Sequence, residues 1–337
     1  MKKLQIAILG CGRMGRRHAE AYRKNSKVMI KGFYDIEKSQ AINLASHYDA
    51  TVFNDVYEIM DNSDIDAVSI CTPNAMHFEF LKIAIKTRKN VLVEKPIVTT
   101  KEHCDTLLRI MKGVKCKVMV GHTHRFYPCN ITLKLILESG RYVGEPKIIN
   151  TFDYIPGRNL GDKMPSWIKH RKFGGGILMT DFIHTVDKIS WLVNSPIQRV
   201  HTHMLSNFIT KKNVEDTLVA TLELKNGLIA TCVHGCPSPG AVDMSLKVIG
   251  TKGEIDMKFA SDLTILKDSI SSIDYPHKGD YMRHAESAFS AEINEFINSI
   301  ISDREPEITY KDGIQAVRVI LALHESFKRR KSVFVNI

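Results

Sequence analysis

Three glycines, Gly10, Gly12 and Gly15, stand between an apolar run and a helical pattern, and Asp35 closes the next apolar run. That spacing suits a dinucleotide. The first glycine permits a tight strand-to-helix turn, the second lets backbone N–H groups approach a pyrophosphate, and the third lets helix and strand pack closely. The helix N-terminus, with Arg13 and Met14 beside the glycines, offers positive potential to the phosphates. Asp35 falls where a carboxylate accepts hydrogen bonds from both adenosine ribose hydroxyls and repels a 2′-phosphate, so NAD is expected over NADP. Ile36 follows it, where an arginine would argue the reverse, although Lys38 is near. Two further segments follow apolar runs: Cys71-Thr72-Pro73-Asn74 with His77, and Glu94-Lys95-Pro96. In an open parallel sheet the ligand crevice lies outside the carboxyl ends of the strands, so both loops should border the nicotinamide half of the cofactor.

The elements needed to position these residues are legible as periodicity. Strand-like runs at 5–9, 29–34, 67–71, 90–93 and 117–121 alternate with helical segments, the first at 16–24, which predicts a doubly wound parallel sheet of Rossmann type over residues 1–122. Beyond residue 123 the grammar changes. A helical stretch at 129–139 leads into alternating runs at 147–154, 197–205, 217–224, 228–234, 244–249 and 253–258. Turns at Lys225-Asn226-Gly227 and Thr251-Lys252-Gly253 divide them, which is hairpin chemistry. Two long helical stretches, 281–303 and 313–328, close the chain. Residues 123–337 are therefore expected to form an α/β domain with an open, mainly antiparallel sheet, for substrate binding and oligomerisation. One face of such a sheet, left uncovered by helices, calls for a partner, so a homodimer or homotetramer is expected.

Composition narrows the function classes. The chain has 337 residues, enough for two ordinary cores, and 44% hydrophobic with 25% charged residues is globular usage. No apolar run approaches the roughly 20 residues a membrane helix requires, and the N-terminus leads into the first strand without a signal-peptide pattern. Seven scattered cysteines read as reduced thiols, so a cytoplasmic location is expected. Cys232, His234 and Cys236 alternate along a strand-like run, but the spacing lacks a CxxC knuckle and a fourth ligand, and no metal is assigned. The net charge of +10 comes without a nucleic-acid motif or an aromatic-interleaved basic stretch, and reads as solvated surface with a bias toward small anions.

With these segments on one chain, the sequence resembles the Gfo/Idh/MocA family of NAD(P)-dependent sugar and polyol oxidoreductases, the group of glucose-fructose oxidoreductase and inositol dehydrogenase. The resemblance rests on Gly10, Gly12 and Gly15, on Asp35, Thr72-Pro73-Asn74 with His77, and Glu94-Lys95-Pro96. It extends through Arg125-Phe126, Gly174-Gly175-Gly176 with His184 and Asp187, and Trp191-Leu192. It implies a Rossmann domain followed by an α/β domain whose open sheet often forms an oligomer interface. It also implies that Lys95 is catalytic and binds the reacting hydroxyl. Many family members carry an Asp four residues beyond the last of the three glycines and a His four residues further on; here those positions hold Thr180 and His184, with Asp181 displaced by one. On a regular helix Thr180, Asp181 and Asp187 would all lie within reach of the His184 face.

His184 is then the candidate general base, taking a substrate hydroxyl proton while hydride leaves for C4 of the nicotinamide. Lys95 would hold the same oxygen. Arg125 could reach a ribose, a phosphate or a carboxylate, or form a salt bridge. Tyr154, Trp167, His170 and Arg171 could line a sugar pocket, with core packing the competing reading for Trp167; Trp191 reads as core. The implied activity is hydride transfer between NAD and a secondary alcohol of a sugar, sugar derivative or cyclitol. Two alternatives stay open: an NAD-retaining glycosidase using transient oxidation, and a catalytically silent sugar sensor.

Overall fold

The structure, a computed structural model, describes residues 3–154, 165–206, 214–235, 243–267 and 269–336. By compactness it divides into two units, Met1–Thr123 with Phe289–Ile314, and His124–Ala288 with Gln315–Ile337. The segment Phe289–Ile314, distant in sequence, thus joins the N-terminal unit in space, an assignment that a single linear boundary cannot express.

The first unit alternates strictly: β1 (Leu4–Leu9), α1 (Arg13–Arg23), β2 (Val28–Tyr34), α2 (Lys38–Ala45), β3 (Thr51–Val52), α3 (Val56–Met60), β4 (Ala67–Ile70), α4 (His77–Lys86), β5 (Asn90–Glu94), α5 (Lys101–Ile110) and β6 (Val118–Gly121). The six strands form one sheet in the order β3-β2-β1-β4-β5-β6, every pairing parallel. Strands buried on both faces explain the unbroken apolar runs: Ile6, Ile8, Val68, Ile70, Val91 and Val93 have no exposed surface. The two-residue edge strand β3 carries no periodicity and escapes a sequence reading. Beyond β6, Val120 N donates to Ile308 O at 3.2 Å, so returning chain from the C-terminal third covers that edge. The strand order reverses between β1 and β4, which is the topological switch point where such sheets bind ligands.

The second unit contains α6 (Pro128–Ser139), β7 (Pro146–Tyr154), α7 (Ile183–Leu192), β8 (Ile197–Ser206), β9 (Glu215–Leu224), β10 (Ile229–Gly235), β11 (Asp243–Gly250), β12 (Glu254–Lys258), β13 (Asp262–Leu266) and β14 (Ile270–Ser272). Helices α8 (Tyr281–Ile301) and α9 (Tyr310–Arg329) are shared between the units, and β15 (Val333–Phe334) ends the chain. Among the described residues nine strands form the sheet β14-β13-β12-β11-β7-β10-β9-β8-β15. Its pairings are antiparallel except β10 with β7, which run parallel. Side-chain alternation sorts the two faces. Ile149, Thr151, Leu218, Ala220, Ala230, Cys232 and Val248 are buried, whereas Ile148, Phe152, Val219 and Ile229 expose 40–49% of their surface. Thr202 N donates to Ser326 Oγ on α9, which places that helix on the buried face.

Candidate active site

In the first unit, the glycine loop is shaped by contacts that exclude side chains. Gly10 has φ +93°, and a Cβ there would lie 2.6 Å from the Cys71 carbonyl oxygen. A Cβ on Gly15 would lie 1.9 Å from the Gly10 carbonyl oxygen, so α1 can approach β1 only with glycine at this position. Nothing lies within 4 Å of a Cβ built on Gly12, the N-cap of α1. That helix begins without a side-chain cap or an acidic residue in its first turn, where Arg13 and Met14 sit, whereas α3 and α5 are capped by Asp55 and Thr100. An open approach over uncapped N–H groups is the cradle an NAD pyrophosphate requires. Asp35, just past β2, accepts from Cys11 N at 2.7 Å and from Glu37 N at 2.9 Å. It therefore ties its own strand end to the glycine loop, and each oxygen retains a lone pair for a ribose hydroxyl. The Lys38 ammonium donates to Asn54 Oδ1 at 2.8 Å.

The loops after β4 and β5 are joined through His77, the first residue of α4. Its ring nitrogens lie 2.7 Å from the Pro96 carbonyl oxygen and 2.9 Å from that of Thr72, and burial pushes its pKa down. Asn74 opens a short 3₁₀ turn and is buried. Burial also drives the Cys71 thiol far above its ordinary range, with Glu94 adding repulsion, so this residue contributes backbone rather than a thiolate.

Behind Lys95 lies a polar network with no sequence signature beyond a histidine on the apolar stripe of α1. His18 places Nε2 3.1 Å from Glu94 Oε1 and Nδ1 3.2 Å from Ser69 Oγ, and that hydroxyl meets Tyr22 OH at 2.8 Å. Glu94 Oε2 accepts from the Lys95 backbone N at 3.2 Å. Burial opposes charge on Glu94, but His18, then Lys95 and His77, outweigh it and hold the carboxyl below its usual range. Glu292 accepts from Thr123 Oγ1 at 3.1 Å; burial, reinforced by Glu94, pushes it well above the carboxylate range. Two carboxyl groups whose pKa values are pushed in opposite directions thus share this interior.

In the second unit, the three glycines lead into a π turn, Leu178–Phe182, before α7. This departs from the regular helix assumed from spacing, because a π turn has a wider turn and a smaller angular step per residue. Thr180 Oγ1 donates to Gly176 O at 2.7 Å. Asp181 turns to His234 on β10, Oδ2 to Nε2 at 3.5 Å. Asp187 receives Arg125 bidentately, Nε to Oδ2 at 2.8 Å and an η-nitrogen to Oδ1 at 2.6 Å. His184 is buried and stacks on His124, with ring centroids 4.1 Å apart and planes 11° from parallel.

His234 is flanked on its other side by Asp153 on β7, Nδ1 to Oδ2 at 3.5 Å, and the same oxygen accepts from Thr185 Oγ1 at 2.9 Å. Burial disfavours the imidazolium, yet the two carboxylates outweigh it and raise the His234 pKa to about 9. Burial likewise works against Asp153, but Lys188 and His234 hold it well below the usual carboxylate range. Tyr154 follows Asp153 and, by strand alternation, shares the open face with Phe152, opposite to His234's partner. Trp167 is half-buried in the turn Ser166–Lys169, and Arg171 is held by Glu215 at 2.9 Å. Trp191 carries the Lys134 ammonium 5.1 Å from its ring centroid. Cys236 lies outside the described residues, and among the described residues no group of three or more His, Cys, Asp or Glu is arranged to hold a metal.

Comparison with known proteins meets this geometry from a separate direction. Residues 4–122 match the family model described as the NAD-binding Rossmann fold of the oxidoreductase family, and residues 137–335 match that family's C-terminal alpha/beta domain. The chain is 27% identical over 346 residues to scyllo-inositol 2-dehydrogenase (NAD(+)) of Bacillus subtilis (strain 168), covering 99% of this chain and 97% of the relative. Among solved structures, a putative myo-inositol dehydrogenase from Sinorhizobium meliloti 1021 superposes with a TM-score of 0.84 at 24% identity, over 99% of this chain and 100% of that one. Levoglucosan dehydrogenase in complex with NADH and levoglucosan gives a TM-score of 0.90 at 19% identity, over 100% of both chains. Both likenesses describe the fold. Matched over both its domains, the chain belongs to the Gfo/Idh/MocA oxidoreductase family and is an NAD-dependent oxidoreductase.

Proposed function

We propose that this enzyme transfers hydride between NAD and a secondary alcohol carbon of a neutral sugar, sugar derivative or cyclitol, with Lys95 and His184 acting on the reacting hydroxyl. The observation that carries the reading is the charge arrangement of the second unit. Arg125 is consumed by Asp187, and the remaining acidic groups around the His184 helix are hydrogen-bond acceptors. Acceptors suit hydroxyl groups. The full-length match to an inositol dehydrogenase supports the same substrate class. When bound, the nicotinamide supplies a hydride acceptor at C4.

His184 takes the hydroxyl proton as the carbinol C–H bond breaks, so a ketone forms and one proton and one hydride are accounted for. Lys95 donates to the oxygen and stabilises developing alkoxide charge; its backbone is anchored to the ionised Glu94. The glycine loop, Asp35, the segment 71–74, His77 and Glu94 would hold the cofactor. Thr180, Asp181, Arg125 and Trp167 would surround the substrate, while the open-face position of Tyr154 suits an interface. A second copy of this chain would cover the exposed Ile148, Phe152, Val219 and Ile229, giving a homo-oligomer. No helix among the described residues is long and apolar enough to cross a membrane.

The test combines NAD with a panel of free, phosphorylated and nucleotide-linked sugars, uronates and inositols, following absorbance at 340 nm with product analysis. The expected result is NADH formation with a neutral polyol, reduced by at least about a thousandfold in Lys95→Ala. Full activity of that variant, or glycoside cleavage without net NADH, would refute the proposal.

A further inference from the structure

The second unit holds a charged quartet that the hydride-transfer step does not employ: Asp153 on β7, His234 on β10 and Lys188 on α7, all buried, with Asp181 half-buried on the π turn. Charges leave water at a large desolvation penalty, and a buried set retained in a site is expected to serve geometry there. The quartet is graded in accessibility. The His234 side chain is 4% exposed and that of Asp153 10%, whereas Asp181 keeps 17%. Asp181 is thus the member most open to a ligand, and it sits one residue after Thr180 and three before His184. His234 packs against the Phe182 ring in a T-shaped contact, centroids 5.4 Å apart and planes 67° apart. Asp153 in turn accepts from Thr185 on α7, so one chain of contacts runs from the first turn of the His184 helix through both strands and back to the π turn.

We propose that His234 is a positioning residue that holds the Asp181 carboxylate, backed by Asp153, as the acceptor for a second hydroxyl of the polyol. The inference rests on the dehydrogenase reading and deepens it, because it makes a substrate with more than one hydroxyl the expected class. A carboxylate fixed by a cation accepts from a hydroxyl without having to be reoriented on binding. The charged state persists across the physiological range, since His234 gives up its proton near pH 9. Facing it are Asp153 and Asp181, with Lys188 acting on Asp153 from α7, and on its own strand the Cys232 thiol, whose pKa burial raises to about 12. Above pH 9 a neutral ring can donate to only one of the two carboxylates, and the charge that holds both is lost.

Two readouts on the full chain test this. Histidine-selective ¹⁵N NMR, with His234→Gln identifying the signal, should show His234 doubly protonated at pH 7.5, and Asp181→Asn should lower its pKa by about a unit or more. On the polyol that the wild type oxidises, His234→Gln and Asp181→Asn should each raise KM about tenfold with kcat changed less than about threefold and NAD affinity unchanged. Asp181 lies at the rim of the cluster, so its variant reads the effect even if His234→Gln folds poorly. A neutral His234 at pH 7.5, or an unchanged KM in Asp181→Asn, overturns the inference alone. A wild type that reduces NAD with no sugar or cyclitol overturns the dehydrogenase reading, and the substrate role of this cluster with it.

Discussion

Adding one methyl group at either of two glycines in the same loop should separate folding from cofactor binding. At Gly15 the new Cβ would fall 1.9 Å from the Gly10 carbonyl oxygen, 3.0 Å from its carbon and 3.5 Å from Ile8 Cγ2. Ordinary contact begins at 3.4 Å, so α1 must retreat from β1 by about 1.5 Å, and no rotamer relieves a clash between a Cβ and a backbone oxygen. Over-packing of this kind costs about 1–3 kcal/mol. At roughly 2–4 °C per kcal/mol for a chain of this class, Gly15→Ala should lower Tm by about 2–12 °C. Gly12 differs: nothing lies within 4 Å of its Cβ position and its φ is −71°, which any residue adopts. Gly12→Ala should therefore keep the wild-type Tm within about 1–2 °C. Its methyl would occupy the approach that the pyrophosphate needs, and a penalty of about 2 kcal/mol weakens NAD binding about thirtyfold. Differential scanning fluorimetry and calorimetric NAD titration on both variants measure the pair of effects. A Gly15→Ala protein with wild-type Tm, or a Gly12→Ala protein with wild-type NAD affinity, would refute the reasoning.

Other outcomes follow from the electrostatics. His234 has a folded pKa of about 9 against an ordinary 6.5, so its contribution is full below pH 6.5 and lost as pH rises through 9; at 1.36 kcal/mol per unit that is at most roughly 3 kcal/mol, and urea unfolding of wild type against His234→Gln should show the difference vanish between those pH values. Glu292 is a buried acid whose pKa is raised, so the folded chain binds its proton more tightly and stability falls as pH rises above the ordinary carboxyl range; Glu292→Gln should be more stable than wild type at pH 8 by an amount that shrinks toward pH 4, and an increasing advantage on acidification would contradict it. Arg125→Ala strands the Asp187 carboxylate, whose side chain is 2% exposed, and should cost about 3–5 kcal/mol, largely recovered by also changing Asp187→Leu, as a double-mutant unfolding cycle would measure. Asp35→Asn retains an acceptor for the Cys11 N–H but removes the charge that repels a 2′-phosphate, so the NAD-over-NADP binding ratio should fall about tenfold at unchanged Tm.

Local information sufficed for the parts of this protein whose chemistry is local. The glycine spacing, the acid after β2 and the loops after β4 and β5 are each contiguous, and the buried parallel strands between them announce themselves as unbroken apolar runs because both faces are covered. The short edge strands β3, β14 and β15 were not legible, since two or three residues carry no period. The placement of Phe289–Ile314 with the Rossmann unit was likewise illegible, because a helix records its apolar face and not the sheet that receives it.

By itself the sequence determined the family and the dinucleotide fold. Only the tertiary structure decided which side chains meet. His18 reaches Glu94 across 76 positions, Glu292 meets Thr123 across 169, and Arg125 meets Asp187 across 62. Asp181 faces His234 because a π turn, invisible as a residue pattern, widens the helix start at that point. The physical reason is that backbone propensities and turn chemistry act over a few residues, whereas the charge and orientation of a buried group are set by neighbours that folding brings from anywhere in the chain.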